Sequence, residues 1–378
     1  MVKIRVAVLG TRGFPNIQGG VETHCENLYP ALVKLGVDVT VFARKGYVQS
    51  NSYEYKGVKI RPLWSPRRKS TETIIHTLYG VISIALRQKQ FDIIHIHSIG
   101  PSLLVPLARM TGLKVVVTNH GADYERKKWG RIPSMMLKLG ETLGCKFGSQ
   151  VIAVSKHIKG QLEKKYGRSC IYISNGVQAS ERSSSLQLQQ RYDLSKRRYL
   201  LAVGRLVPEK GFHDLIKAFN TINPSDWKLV IAGGADHEDD YSCSLYLGAA
   251  KNKNIVMTGR LSASEVNELY SNAAIFVSPS YHEGLPLVIL EAMSFGLPLI
   301  VSDIEANKEL AENKEDTFPV GDVDALAKKI KVYTNKSGSI ALNEDFITRV
   351  KVHFNWENIS KKTLAIYRKA LKLDIDCG

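Results

Sequence analysis

Long apolar runs are missing from this chain of 378 residues, and so are the features of a secretion signal. No run approaches the roughly 18 apolar residues that suggest a membrane-spanning helix. Residues 1–10 have the pattern of a short strand and lack the basic, apolar and cleavage segments of a signal peptide. We therefore expect a cytoplasmic protein.

Cysteine is scarce as well. The five cysteines are odd in number, scattered and without C-x-x-C spacing: Cys25, Cys145, Cys170, Cys243 and Cys377. This pattern argues against a disulfide framework and against a zinc site built from cysteines. We expect reduced thiols.

Acidic residues are few in the first half only. Residues 1–175 hold 27 Lys and Arg against 10 Asp and Glu, whereas residues 176–378 hold 25 against 26, so the net charge of +16 belongs to the first half. Such asymmetry points to an anionic surface met by that half, with nucleic acid and anionic lipid as the generic candidates. A solvated basic face without a partner is the alternative.

The glycine fingerprint of dinucleotide-binding domains is absent from the loop after the first predicted strand. Residues 10–20 contain several glycines, but not in the G-x-G-x-x-G spacing, which disfavours a nicotinamide-dependent oxidoreductase. Gly19 and Gly20 stand just before a helical pattern, so their backbone can approach a ligand and offer amide donors. A plain turn is the alternative.

What the sequence does contain is a regular alternation of strands and helices in both halves, which predicts parallel sheets. Predicted strands include residues 3–9, 91–98 and 114–118 in the first half and 199–203 and 274–277 in the second. A polar stretch, residues 178–198, has the composition of a connection between domains. We therefore expect domains at residues 1–177 and 178–355, followed by an amphipathic terminal segment, 356–378.

The stretch from Tyr281 to Gly296, YHEGLPLVILEAMSFG, has the pattern of a turn followed by a helix. Pro286 suits the first helical position and Gly296 the position just past the end. The first-turn amides of Leu287 and Val288 would then be unpaired donors at the positive end of the helix dipole, which favours a phosphate.

Two carboxylates flank this predicted phosphate site, Glu283 before the helix and Glu291 inside it. Because carboxylates repel phosphate and accept hydrogen bonds, they are better used to bind pairs of sugar hydroxyls. A phosphate group with a polyol on each side is the arrangement found in a nucleotide-sugar. The alternative is that acidic residues are common around helix N-termini for dipole reasons alone.

Histidines lie at two predicted strand ends. His95 and His97 alternate along one strand and point the same way, but no third metal ligand stands nearby in the sequence, so a polar strand end at a cleft is the favoured interpretation. His120 follows the next strand, where open α/β sheets bind ligands. A structural histidine is the alternative. The helical pattern of residues 71–90 is interpreted as core, and the preceding Arg67-Arg68-Lys69 as a lipid contact.

Cationic residues after the first strand of the second half, Arg205 and Lys210, suit a diphosphate leaving group because they neutralise its growing charge. The acidic pairs that often hold a metal for this purpose are poorly placed. Residues 374–376, Asp-Ile-Asp, lie beyond the last predicted helix, and residues 237–240 are interpreted as a solvated loop. We expect chemistry without a metal or other cofactor.

Several motifs together resemble the retaining GT-B-fold glycosyltransferases of family 4 over nearly the whole chain. They are GGVETH, NHG, NGV, GRLVPEKG, EGLPLVILEAM with its E-x7-E spacing, and FNWENI. The resemblance implies two Rossmann-like domains facing across a cleft, with the terminal helix crossing back to the first. It also implies transfer of a sugar from a nucleotide donor, uridine favoured, to a glycan or lipid-linked acceptor held by the first domain.

The resemblance further implies roles for individual residues. His120 would face the transferred sugar, Glu283 would hold sugar hydroxyls and Glu291 the ribose diol. The remaining contacts would be Gly19 and Gly20 near the diphosphate and sugar, Arg205 and Lys210 on the diphosphate, the amides of Gly284, Leu285, Leu287 and Val288 on phosphate, and Gly259 and Arg260 near the base. Where many relatives have E-G-F-G, this chain has Pro286 at the last position, so one amide near the sugar is missing.

Two other function classes stay open at this stage. A nucleotide-sugar 2-epimerase on the same fold would use the same donor site without any acceptor. A nucleic-acid-binding protein would explain the net charge, although no aromatic-basic interleaving or recognition motif supports it. Retention at the anomeric carbon, by attack on the same face as the leaving group, is implied by the family, and no residue stands out as a nucleophile.

Overall fold

A computed structural model describes residues 3–66, 71–125, 130–178, 181–235, 238–311, 313–335 and 340–373. The chain divides into two compact units, Met1–Gly176 with Trp356–Gly378, and Val177–Asn355. The structure does not describe three segments named above: the lipid-contact candidate 67–69, the acidic pair at 374–376, and His237.

Both units are built from strands joined by helices. The strands are β1 (Arg5–Leu9), β2 (Asp38–Arg44), β3 (Tyr53–Tyr55), β4 (Val58–Leu63), β5 (Ile93–His97), β6 (Lys114–Asn119), β7 (Gln150–Ala153), β8 (Ile171–Tyr172), β9 (Tyr199–Val203), β10 (Lys228–Ala232), β11 (Ile255–Gly259), β12 (Ile275–Ser278), β13 (Leu299–Ser302) and β14 (Thr317–Phe318). The helices are α1 (Gly20–Lys34), α2 (Glu72–Ala85), α3 (Val105–Met110), α4 (Arg131–Phe147), α5 (Lys156–Tyr166), α6 (Gln187–Tyr192), α7 (Phe212–Ile222), α8 (Asp240–Ala250), α9 (Ala263–Asn272), α10 (Leu287–Ser294), α11 (Glu305–Lys308), α12 (Val323–Thr334), α13 (Glu344–His353) and α14 (Trp356–Leu371).

The first unit contains a sheet in the order β3-β4-β2-β1-β5-β6-β7-β8, and only the β3–β4 pair is antiparallel. Its central strands are almost entirely buried and consist mostly of Val, Ile and Leu, as expected for a parallel sheet covered on both faces. The chain leaves β1 toward β2 on one side and later returns to β5 on the other. Connections therefore diverge between the carboxyl ends of β1 and β5, the point where such sheets bind ligands.

The second unit contains a parallel sheet in the order β11-β10-β9-β12-β13-β14. Its own divergence point lies between β9 and β12, which are paired through Ile275 with Leu200 and Phe276 with Leu201. The predicted parallel sheets are thus confirmed in both units, and the loops after β9 and β12 are the expected place for a ligand.

The terminal helix α14 belongs to the first unit rather than the second. Trp356, Ile359, Ile366 and Tyr367 are buried in the same core as Leu28 on α1. This helix therefore packs as part of the first unit.

Two sequence interpretations are corrected by the structure. The stretch 178–198 is not only a connection, since α6 forms within it and the backbone amide of Leu188 donates to Glu268 on α9. The helix predicted over residues 71–90 ends at Ala85, and part of its apolar surface, Leu78 and Ile82, faces solvent. Its core face is narrower than the composition indicates because only Val81 and Ile84 among its large aliphatic residues are buried.

Candidate functional site

The loops after β9 and β12 are joined directly by their backbones. The amide of Tyr281 donates to the carbonyl of Glu209 at 2.8 Å. Gly211 has a φ of 67°, and a Cβ there would lie 2.1 Å from the carbonyl oxygen of Pro279. Only glycine fits this close approach, which holds the two loops side by side at the divergence point of the sheet.

An ion pair links the same two loops. Lys210, in a 3₁₀ turn after β9, donates from Nζ to Oε1 of Glu283 at 2.6 Å, and the Ser280 hydroxyl donates to the same oxygen at 2.8 Å. Both partners of the ion pair are mostly buried. Solvent therefore screens the attraction between these two charges less than it would in a surface pair. The two predicted site residues, Lys210 and Glu283, are in direct contact.

Tyr281 fixes the loop that carries Glu283. Its hydroxyl donates to Asp214 on α7, and its ring is stacked on His213 with 5.9 Å between centroids. No pattern in the sequence indicates this contact. The two residues that form the hydrogen bond are 67 positions apart, so no local spacing could have shown it.

The helix after Glu283 begins one residue later than predicted. Pro286 is extended and precedes α10, and its carbonyl accepts from the amides of Ile289 and Leu290. A proline with ψ of 110° is outside the helical region, so Leu287 becomes the first helical residue. The amides of Leu287 and Val288 are still first-turn donors without an intrahelical acceptor. Gly284 and Leu285 lie in the loop before them, and Gly296 lies just past the helix end, as predicted.

Glu291 lies on α10 and accepts a hydrogen bond from the Tyr270 hydroxyl at 3.0 Å. Burial raises the pKa of the Glu291 carboxyl to about 7, against the opposing effects of the Tyr270 hydrogen bond and the Lys210 charge. The carboxyl is therefore poised between its neutral and ionised forms near neutral pH, and the charge of Lys210 reaches it.

The other predicted contacts of this unit lie at the same edge of the sheet. Arg205 follows Gly204 directly after β9, and Gly259 ends β11. Arg260 donates to the carbonyl of Ala235 at 2.9 Å. β11 is two strands from β9, or roughly 10 Å. Arg260, which follows β11, is therefore separated from Lys210, which follows β9, along the carboxyl ends of the strands.

The first unit has a cluster of histidines at its own divergence point. His24 on α1, His97 at the end of β5 and His120 after β6 each offer one ring nitrogen, and these atoms lie within 4.8 Å of one another. His97 Nδ1 and His120 Nε2 are hydrogen bonded at 3.0 Å. Although no such ligand stands near His97 in the sequence, the sheet and α1 bring His24 and His120 close to it in space.

The β5 histidines are also more buried than predicted. His95 and His97 are fully buried and stacked, so they point the same way but do not form an exposed strand end. The Tyr29 hydroxyl contacts a nitrogen of each ring, and Tyr367 on α14 contacts His95 at 2.7 Å. Burial lowers the pKa of His24, His95 and His120 to about 3, which keeps these imidazoles neutral.

Gly19 and Gly20 lie where α1 begins, four to five residues before His24. Next to them, Arg12 and Glu22 form a mostly buried ion pair at 3.1 Å, and the amide of Arg12 also donates to Glu22. The His24 ring meets the His120 ring edge-on at 5.0 Å between centroids. The structure thus places Gly19, Gly20 and His120 in the first unit and the other predicted site residues in the second.

Asp239 and four of the cysteines, which the sequence does not favour as metal ligands, lie within the described residues. Asp239 caps α8, where its carboxylate accepts from the Ser242 amide at 2.9 Å, so it has a structural role rather than lying in a plain solvated loop. Cys25, Cys145, Cys170 and Cys243 are free thiols. Cys377 lies outside the described ranges.

Comparison with known proteins matches both units. Residues 18–181 match the family model described as Glycosyltransferase Family 4, and residues 187–352 match the model described as Glycosyl transferases group 1. The chain belongs to the group 1, family 4 glycosyltransferases. An uncharacterized glycosyltransferase of Methanocaldococcus jannaschii is 25% identical over 407 aligned residues, which cover 98% of this glycosyltransferase and 99% of the relative.

A second relative is the Escherichia coli UDP-Gal:alpha-D-GlcNAc-diphosphoundecaprenol alpha-1,3-galactosyltransferase, 28% identical over 72% of this chain and 74% of its own. Two solved structures share the fold. Sucrose-phosphate synthase of Thermosynechococcus elongatus has a TM-score of 0.83 at 20% identity, covering 98% of this chain and 100% of that one. HepE of Anabaena, with UDP and glucose, has a TM-score of 0.80 at 18% identity, covering 97% and 100%. The glycosyltransferase has the GT-B fold.

Proposed function

We propose that this glycosyltransferase moves a sugar, with retention, from a uridine-diphosphate sugar to a hydroxyl of a glycan or lipid-linked acceptor in surface glycan synthesis. The observation that carries the proposal is the buried Lys210–Glu283 pair beside the first turn of α10. The pair places a cation and a carboxylate close to the first-turn amides of α10. A sugar attached to a diphosphate requires these groups, because the cation and the amides bind phosphate and the carboxylate accepts hydrogen bonds from sugar hydroxyls.

In this proposal the diphosphate binds to Arg205, Lys210 and the first-turn amides of Leu287 and Val288. These groups supply the positive charge that stabilises the departing diphosphate, so we propose that no metal ion or cofactor takes part. Lys210 then shares its ammonium between phosphate and Glu283. The Glu283 oxygens hold hydroxyls of the sugar, close to the bond that breaks.

The nucleoside is proposed to extend from the diphosphate along the sheet edge. Glu291 accepts hydrogen bonds from the ribose diol, and the base lies toward Gly259 and Arg260. The solved HepE structure holds UDP and glucose, and the Escherichia coli relative is named for a UDP-galactose donor, which favours uridine here.

The acceptor is assigned to the first unit. A cavity of about 400 Å³ lies beside the loop after β6, lined by Asn119, Tyr124, Glu141 and Lys165 among others. An aromatic ring with carboxylate, amide and ammonium groups suits a sugar that offers both a face and hydroxyls. His120 begins the same loop and is proposed to face the transferred sugar.

A membrane surface is proposed as the place where the acceptor is met. Ile132, Met135, Met136 and Leu139 form an exposed apolar stripe on α4, and Lys138 lies among them. Such a stripe, on the unit with the excess positive charge, suits binding at the surface of an anionic bilayer. None of the helices in the described ranges is both long and apolar enough to cross a bilayer. Nucleic acid is not proposed as a partner.

Retention is proposed to follow from attack on the face that the diphosphate leaves. The departing phosphate oxygen takes the proton of the acceptor hydroxyl, so no protein nucleophile is required. Glu283 is paired with Lys210 and Ser280, which favours a hydrogen-bonding role over attack on the anomeric carbon.

The test begins with a thermal-shift panel of UDP, GDP and ADP. A ligand at a hundred times its dissociation constant stabilises a protein by about 2.7 kcal/mol. We expect UDP to give the largest shift and Glu291→Ala to reduce it. Absence of a shift with all three nucleotides would contradict the donor assignment.

The second step is transfer from UDP-sugars to lipid-diphosphate-linked sugars, with the anomeric configuration of the product read by NMR. Retained configuration and activity in excess EDTA are expected. Epimerised donor formed without any acceptor would instead favour the 2-epimerase alternative.

A further inference from the structure

The histidine cluster at the ends of β5 and β6 has the chemistry of a metal site, although the proposed transfer uses only His120 and needs no metal. His24, His97 and His120 come from three separate segments, yet one ring nitrogen of each lies within 4.8 Å of the others. The rings of His24 and His120 are 5.0 Å apart between centroids, and those of His24 and His97 are 5.5 Å apart. Imidazole nitrogens are the ligands favoured by zinc, copper and nickel.

His24 is already arranged as a metal ligand. Its Nδ1 donates to Oδ1 of Asn175 at 2.9 Å, so the ring proton is on Nδ1 and Nε2 has a free lone pair. Nε2 is buried and has no hydrogen-bond partner in the described structure. A histidine that donates from one nitrogen and leaves the other bare is the usual arrangement around a bound metal.

His97 can reach the same arrangement by a shift of one proton. Its Nε2 contacts the Tyr29 hydroxyl, whose oxygen can accept a hydrogen bond from the ring N–H, while Nδ1 points to His120 Nε2 at 3.0 Å. The single proton between these two nitrogens can move to the other nitrogen of its own ring. Both imidazoles then stay neutral and both present a lone pair.

We propose that His24, His97 and His120 bind one divalent transition-metal ion, zinc above all. Zinc bonds to nitrogen at about 2.0–2.1 Å, which places tetrahedral ligands roughly 3.4 Å apart. Small ring movements bring the cluster to this size. His120 is only partly buried, so a fourth position on its side is open to water or to an incoming group.

Metal binding would also remove His120 from the sugar. This second consequence rests on the proposed function, whereas binding itself does not. We therefore expect zinc to inhibit transfer, and chelation to restore it.

The experiment titrates metal-free protein with Co²⁺ and follows the visible absorption of a tetrahedral ion, with Zn²⁺ then added in competition. Wild type is expected to bind one Co²⁺ through this cluster and release it to Zn²⁺. His24→Gln and His97→Gln are expected to weaken binding by roughly tenfold or more. His157→Gln, which removes an exposed histidine on α5 in the same unit, is the matched control and is expected to bind as wild type does.

Absence of the tetrahedral spectrum in wild type, or its persistence in both cluster variants, would overturn the proposal. Circular dichroism establishes that each variant is folded. If the buried substitutions prevent folding, His120→Gln at the partly exposed position gives the same test. Co²⁺ binding with transfer unaffected by Zn²⁺ would overturn the inhibitory role, and a protein that binds Co²⁺ but transfers no sugar would contradict the proposed function alone.

Discussion

Lys210 and Glu283 lie 73 residues apart in sequence and 2.6 Å apart in space. Because Lys210 is proposed to neutralise the departing diphosphate, Lys210→Ala is expected to lower transfer by roughly a hundredfold to a thousandfold, as for other groups that stabilise developing charge. The fold is expected to survive, since the Ser280 hydroxyl still donates to the Glu283 carboxylate. Steady-state kinetics and a thermal melt measure the two effects.

Lys217→Ala is the matched control for this substitution. Lys217 is an exposed lysine on α7 of the same unit, so its loss removes the same charge away from the site. We expect activity close to wild type. Lys210→Ala with activity within a few-fold of wild type would rule out the assignment of the diphosphate site.

Glu291 provides a pH test of the ribose contact. Burial raises the pKa of its carboxyl to about 7, so the folded protein holds the proton more tightly than an unfolded chain does. The ribose diol needs the ionised form as acceptor. Affinity for UDP is therefore expected to be highest above pH 7 and to fall about tenfold from pH 8 to pH 6.

Isothermal titration at several pH values measures this dependence. The same titration on Glu291→Gln gives the reference, because UDP itself gains a proton in this range while glutamine does not. An equal fall in affinity for both proteins would show that the Glu291 carboxyl does not take part.

At the scale of elements, the loop after β9 depends on one glycine. Gly211→Ala forces a Cβ against the Pro279 carbonyl in a left-handed conformation. We expect a loss of roughly 2–3 kcal/mol in the free energy of unfolding and a larger loss of activity, since Lys210 precedes it directly. Chemical denaturation and kinetics measure both.

Gly248→Ala is the control at this scale. Gly248 lies within α8, where a Cβ meets only Ile216 at an ordinary distance of 3.6 Å, so alanine is expected to be tolerated or slightly stabilising. If Gly211→Ala behaved in the same way, the close approach of the two loops would not matter for the site.

Sequence patterns predicted the elements well because each depends on neighbours in the chain. The strand predicted at residues 114–118 is observed at Lys114–Asn119, and the terminal helix begins at Trp356, where the predicted terminal segment begins. The predicted start of α10 was one residue too early, because proline is also compatible with the position before a helix, where Pro286 lies. Pairings such as Tyr281 with Asp214, and the meeting of His24 with His97, depend on sheet order and could not be derived from spacing.

At the scale of the whole molecule, the excess positive charge and the exposed apolar stripe of α4 both belong to the first unit. We expect the protein to bind vesicles that contain anionic lipid at low salt, and to dissociate as salt is raised, because each Lys or Arg near such a surface contributes about 1 kcal/mol that salt screens. Co-sedimentation with vesicles measures the bound fraction.

The double variant Met135→Ser, Leu139→Ser tests the stripe on α4 and is expected to weaken vesicle binding by roughly tenfold or more. Leu247→Ser with Val332→Ser is the matched control, since both residues are equally exposed on helices of the second unit. A wild-type protein that ignores anionic vesicles at low salt would favour a soluble acceptor.

The first unit takes its last helix from the end of the chain. Tyr367 contributes its hydroxyl to the buried His95, and Trp356 lies against His24, so the histidine cluster is enclosed only when residues 356–371 are in place. During synthesis on the ribosome, the first unit is complete only after residues 356–371, which follow the second unit, have emerged. All residues of the second unit, 177–355, are synthesised before residues 356–371. We therefore expect the second unit to reach its native state first.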